Sequence, residues 1–223
     1  MSMRLKTYEP GYDVYSKILP RLNEICCKSG DSLEGNLYYS GQMDFSEKFD
    51  VAPEDRFRGK RRDYSTYVLT GSNLLEVGFN GGHSALLALS VNVNLKYTGV
   101  DFGNHPYTKP AFEFLKNIFG DRIDLILGDS RDILPQLAVS SKKYDLFHVD
   151  RGHDYNVAFS DLSNVWNISN HGDVVLFDDT NSGVASWYLD EICDFFVATG
   201  KFSKIELAIL WESNQHILLR VNK

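Results

Sequence analysis

The stretch that most restricts how this chain can fold is LLEVGFNGGHSALLAL, residues 74–89. An apolar run carries an acid near its end, Glu76; a turn with Gly78, Gly81 and Gly82 follows; then His83-Ser84 opens a segment able to continue as a helix. This is a strand, a tight turn and a helix N-terminus. Glycines let the backbone approach a ligand closely, and the free N–H groups of a first helical turn face it. A dinucleotide fingerprint requires G-x-G-x-x-G, and counting from Gly78 the chain has Asn80 and His83 where the second and third glycines belong. A pyrophosphate reading loses support. An acid two residues before the first glycine suits a ligand carrying positive charge and donor groups.

Downstream the pattern repeats. Apolar, β-branched runs at 73–77, 96–101, 123–127, 144–150 and 173–177 alternate with helical stretches at 82–91, 109–119, 131–139, 157–168 and 184–199. Five such units predict a parallel sheet covered on both faces, with right-handed crossovers. The last segment breaks the alternation: 204–211 and 216–221 are both strand-like, and a closing antiparallel hairpin is the simplest reading. The expected fold is a three-layer α/β/α sandwich on a seven-stranded, mostly parallel sheet.

Residues 1–70 read differently. An amphipathic helix over 12–27 precedes a polar, aromatic-dotted passage in which no period of 2 or 3.6 persists. It is expected as a loop-rich cap or peripheral extension, with 64–69 leading into the first strand, and residues 71–223 form the main domain. The helix at 12–27 either covers its own core or pairs with a neighbouring copy, which leaves a homo-oligomer open.

Composition narrows the classes. With 43% hydrophobic and 24% charged residues the chain should fold, and its apolar runs are too short and interrupted to span a bilayer. The N-terminus lacks the apolar core of a secretory signal, and three cysteines form neither an even framework nor a zinc spacing. A reducing cytoplasmic setting fits best. The net charge of -7 opposes strong sequence-independent binding to nucleic-acid phosphate backbones. The one basic run, RFRGKRR at 56–62, reads as a solvated loop that could also clamp an acidic substrate.

In open α/β sheets ligands bind beyond the carboxyl ends of the strands. Acids collect there: Glu76, Asp101, Asp129 with Ser130, Asp150, and Asp178-Asp179. Asp101 can accept both hydroxyls of a ribose or simply close a turn. Asp129 or Ser130 can edge a purine or cap the next helix, and both roles can coexist.

Taken together, LLEVGFNGGHSALL, GDSRDILPQL, FHVDRGHDY and LFDDT resemble class I S-adenosylmethionine-dependent methyltransferases, which have a Rossmann-like fold. The likeness covers about residues 70–222. It points to the metal-dependent small-molecule O-methyltransferases: the catechol O-methyltransferase group in the first two segments, and a bacterial antibiotic and sugar O-methyltransferase family around FHVDRGHDY. The resemblance implies that Glu76, Gly78, Asn80, Gly82, His83 and Ser84 hold the methionyl end of S-adenosylmethionine, with Asp101 on the ribose and Asp129-Ser130 on adenine. It implies Asp150, Asp178 and Asp179 as ligands for Mg²⁺ or another divalent cation, although the catechol group has an amide where Asp179 stands. In a metal-free reading one of these acids caps the 181–184 turn. Three residues past Asp150, His153 matches the position of that group's basic lysine and is expected to take the acceptor's proton, Asp150 sharing the catalytic role; a surface histidine bonded to Asp154 is the alternative. His83 is expected to position the helix start or pack beside the sulfonium, His148 to be a satisfied core residue, and His105 and His216 to have no role. The expected activity is methyl transfer to a hydroxyl of a sugar or aromatic diol. A metal-independent methyltransferase and a non-catalytic cofactor-binding module are the alternatives.

Overall fold

The computed structural model describes residues 9–41, 45, 48–150, 154–180, 187–205 and 216–223. In chain order its elements are α1 (Tyr12–Cys27), α2 (Arg58–Val68), β1 (Asn73–Val77), α3 (His83–Val91), β2 (Lys96–Asp101), α4 (Thr108–Phe119), β3 (Ile123–Leu127), α5 (Ser130–Ala138), β4 (Leu146–Val149), α6 (Tyr155–Ile168), β5 (Val174–Asp178), α7 (Trp187–Ala198), β6 (Phe202–Lys204) and β7 (His216–Val221). The strands form one sheet in the order β3-β2-β1-β4-β5-β7-β6. The first five are parallel, and β7 runs antiparallel to both β5 and β6. The seven-stranded, mostly parallel sandwich expected from the alternation is the observed fold.

Because side chains alternate across a strand, the two sheet faces build two cores. Leu75, Val77, Phe147, Val149, Val175 and Phe177 face α5, α6 and α7. Leu74, Leu146, Leu176 and Leu218 face the other layer, made of α1 to α4. On that second face the period of two also places Glu76 beside His148, since these residues are register partners. Val77 pairs with Val149, and Val149 with Phe177, so Asp150 and Asp178 emerge side by side at the strand ends. This is also where strand order reverses, between β1 and β4, the place where open α/β sheets bind ligands.

The N-terminal segment is more regular than its sequence suggests. α1 buries Tyr15, Leu19, Leu22 and Cys26, one helical face, against α3 and α4. Residues 64–69 do not lead into a strand, and RFRGKRR is not a solvated loop: both contribute to α2. Arg61 is 1% exposed, and its guanidinium donates to Leu37 O at 3.1 Å and Glu54 O at 3.2 Å and pairs with Glu9. Carbonyls and an acid from the surrounding segment therefore satisfy a charge that the local sequence leaves looking exposed. At the other end, residues 206–215 of the expected 204–211 strand and its turn lie outside the described residues, and β6 covers Phe202–Lys204. Among the described residues no helix is long and apolar enough to cross a membrane.

Candidate active site

Glu76 stands at the centre of a buried web. It is fully buried and accepts hydrogen bonds from Ser84 Oγ at 2.7 Å, from the Tyr97 hydroxyl, and from His148 Nδ1 at 2.5 Å. Ser84 lies in the first turn of α3, so the acid ties β1 to the helix that follows the glycine turn. His148 is also fully buried; burial favours its neutral ring, but the carboxylates of Asp178 and Glu76 outweigh it and push its pKa up to about 10. Its Nε2 lies 3.7 Å from Asp178 Oδ2, an ion-pair separation longer than a hydrogen bond. His148 is a core residue, as expected, and the two neighbouring carboxylates favour its charged form.

The turn itself needs left-handed backbone at Gly78 (φ 106°), Asn80 (φ 50°) and Gly82 (φ 74°). Asparagine tolerates that region better than other residues with a side chain, which explains how it replaces the missing glycine. Asn80 N donates to Asp101 Oδ2 at 2.8 Å, and Gly103 N donates to Oδ1 at 2.7 Å, so Asp101 braces the turn from the end of β2. His83 does not face the ligand space. Its Nε2 lies 3.0 Å from Asn23 Oδ1 of α1, and burial pushes its pKa down to about 3, which favours the neutral ring that joins α1 to α3. Asp129 is the N-cap of α5, accepting from Arg131 N at 2.9 Å and pairing with the Arg131 guanidinium, and Ser130 is fully buried.

A cavity of about 750 Å³ opens over these strand ends. Gly78, Asn80 and Asp101 line one end of it; Asp150, Asp179 and Lys60 line the other. Glu76, Gly82, His83, Ser84, Asp129, Ser130 and Asp178 are not among the residues that line the cavity. The remaining side comes from the N-terminal segment, where Glu34 Oε2 accepts from Asn80 Nδ2 at 3.2 Å and Glu34 Oε1 lies 3.3 Å from His105 Nε2. His105 Nδ1 is 2.8 Å from Asp31, and its ring stacks on Tyr107 with centroids 4.8 Å apart. His105, to which the sequence assigned no role, thus holds Asp31 and, on the cavity wall, Glu34.

At the other end three carboxylates meet. Burial, then the charges of Asp178 and Asp179, push the Asp150 pKa up to about 8, against the pull of His148 and Lys60. Asp178 is 1% exposed yet held well below the usual carboxylate range: burial opposes this, and Lys60 and His216 overcome it. His216 Nδ1 lies 2.8 Å from its Oδ1, which also accepts the Asp179 N–H at 2.7 Å. Lys60 Nζ lies 2.9 Å from Asp178 Oδ2 and 3.5 Å from Asp179 Oδ1. Asp179 has a left-handed backbone, φ 56°, and a 41% exposed side chain. Neither Lys60 nor His216 was singled out in the sequence for this place. His153 lies outside the described residues.

Carboxylate oxygens of this kind are the donors a hard divalent cation takes. Asp150 and Asp179 offer theirs on the cavity wall, so the donor set fits, with Asp178 already shared among Lys60, His216 and a backbone N–H. A second group, Glu76, His148 and Asp150, brings ligand atoms within 4.8 Å of one another, with His148 Nδ1 already hydrogen-bonded to Glu76.

Residues 75–180, just under half of the chain, match the model of a methyltransferase domain family, Methyltransf_24. No curated protein is matched by sequence. Among solved structures the chain is similar to an O-methyltransferase from Bacillus cereus in complex with S-adenosylhomocysteine, at 14% identity over 95% of this chain and 94% of the other, TM-score 0.62. It is also similar to the O-methyltransferase TomG from Streptomyces achromogenes, involved in tomaymycin synthesis and seen with S-adenosylmethionine, at 17% identity over 96% of each chain, TM-score 0.56. A third likeness is to the Podospora anserina methyltransferase PaMTH1 bound to S-adenosylhomocysteine, at 16% identity over 76% of this chain and 80% of that one, TM-score 0.56. At these identities the structural likeness is one of fold. The family match runs from within β1 to just past the acids that end β5, so this part of the chain is similar to a methyltransferase domain.

Proposed function

We propose that the protein transfers the methyl group of S-adenosylmethionine to a hydroxyl of a small molecule, a vicinal diol on a sugar or an aromatic ring. The observation that carries this reading is the shared cavity into which both the glycine turn and the acid cluster open. Its volume has room for a cofactor and a small acceptor side by side. In this reading residues 71–223 are the catalytic domain and residues 1–70 its cap.

At the cofactor end, the backbone at Gly78 and Asn80 meets the methionyl portion, and Asp101 offers its remaining lone pairs to the ribose hydroxyls. Glu76, Gly82, His83 and Ser84 act from behind, holding the turn in shape through the web around Glu76. Asp129 and Ser130 close the adenine end through the start of α5. At the acceptor end, Asp150, Asp178 and Asp179 would hold a Mg²⁺ or similar ion, which when bound lowers the pKa of the acceptor hydroxyl and orients it. His153 accepts the hydroxyl proton, the oxygen displaces the sulfur in line, the S–CH₃ bond breaks as the O–CH₃ bond forms, and neutral S-adenosylhomocysteine leaves. The chain's contribution is alignment and charge placement.

Calorimetry with S-adenosylhomocysteine tests the cofactor site: the wild-type chain should bind, and Asp101→Ala should bind about tenfold or more weakly, given the loss of charge-assisted hydrogen bonds. Failure of the wild type to bind would overturn the reading. On a panel of sugar and aromatic diols, activity should vanish with chelator and return with Mg²⁺, and Asp150→Ala should abolish that return. Activity indifferent to chelator would leave a methyltransferase without the metal.

A further inference from the structure

Lys60 is an unexpected resident of the acid cluster, and α2 explains how it arrives. Lys60, Tyr64 and Tyr67 fall at helical spacing i, i+4, i+7 on one face. That face descends along β4: the Tyr67 hydroxyl donates to Phe147 O at 2.8 Å, and the Tyr64 ring lies 5.0 Å from the His148 ring. One turn earlier in the helix, Lys60 reaches the strand ends at Asp178 and Asp179. Its side chain is 11% exposed, so the ammonium is inserted into the cluster and does not lie over its surface. Buried Arg61 ties the same helical turn to Leu37 and Glu54.

We propose that Lys60 is a built-in cation of this site, a positioning residue whose ammonium competes with a divalent ion for Asp178 and Asp179 and so couples metal entry to the seating of α2. The inference rests on the metal reading proposed above. With Lys60 in place, the acids are matched and the cap is drawn onto the strand ends. A divalent ion that takes Asp178 and Asp179 must push the ammonium aside, because two cations within ion-pair distance of the same oxygens repel. Lys60, which lines the cavity together with Phe57 and Asp150, then swings away from the two acids. Metal affinity is thereby lowered, and α2 loosens as the metal binds.

The test measures Mn²⁺ binding to the full-length chain by electron paramagnetic resonance, with S-adenosylhomocysteine affinity measured in parallel. Lys60→Met should bind Mn²⁺ about tenfold more tightly than wild type, and Lys60→Arg, which keeps the charge, should stay near wild type. Equal or weaker binding by Lys60→Met overturns the proposal while leaving the metal site standing. Absence of Mn²⁺ binding in every variant, with S-adenosylhomocysteine still bound, overturns both the proposal and the metal reading but not the methyltransferase. If Lys60→Met does not fold, hydrogen exchange on the wild type decides: Mn²⁺ should accelerate exchange of the α2 amides, and unchanged or slower exchange overturns the proposal.

Discussion

Acidification should loosen α1 from α3 through one residue, His83. Its ring is buried between α1 and α3, with Nε2 3.0 Å from Asn23 Oδ1, and folding lowers its pKa from 6.5 to about 3. For a base with a depressed folded pKa, the native state refuses a proton that the unfolded chain accepts. Stability is therefore intact above about 6.5 and lost as the pH falls toward about 3. At about pH 5 the unfolded chain holds the proton almost fully and the folded chain almost not at all, which costs about 2 kcal/mol at 1.36 kcal/mol per unit. His83→Gln keeps an N–H donor for Asn23 without a titrating ring. His148 runs the other way: its raised pKa favours the folded state below 6.5 and loses that effect as the pH rises through about 10, equally in both proteins, so it cancels in the comparison. Urea unfolding near neutral pH and near about pH 5, followed by tryptophan fluorescence, should show wild type losing about 2 kcal/mol more than His83→Gln. Equal losses would refute a neutral, buried His83.

Two further outcomes follow from the same site. Gly82→Ala should lose about 2–4 kcal/mol in urea unfolding, because φ is 74° and a Cβ would lie 2.6 Å from Phe79 Cζ and 2.7 Å from Leu115 Cδ1; a loss below about 0.5 kcal/mol would mean the turn is not built this way. His153→Ala should lower kcat by about 100-fold and flatten the acidic limb of its pH profile while S-adenosylhomocysteine still binds; an unaltered rate and profile would remove His153 as the proton acceptor.

Much of the fold is legible in the sequence because it is written in local pattern. Apolar runs of strand length followed by helical periodicity demand a parallel sheet, and such a sheet brings every carboxyl end to one edge. That is why spacing alone marks Asp101, Asp150, Asp178 and Asp179 as neighbours. α2 is hidden because the polar, basic start of RFRGKRRDYSTYV masks its buried face, and Arg61 is satisfied by carbonyls remote in sequence.

What the sequence by itself determined is therefore the order of elements, the glycine turn after β1 and the row of acids at the strand ends, all consequences of spacing along the chain. Only the tertiary structure decided what each acid meets. Glu76 turns inward to His148, Ser84 and Tyr97; Asp178 is shared by Lys60 and His216; Asp101 braces Asn80; and Glu34 pairs with His105 on the cavity wall. Each of these pairings joins segments from different elements, so it depends on strand register and helix docking, which no local pattern encodes.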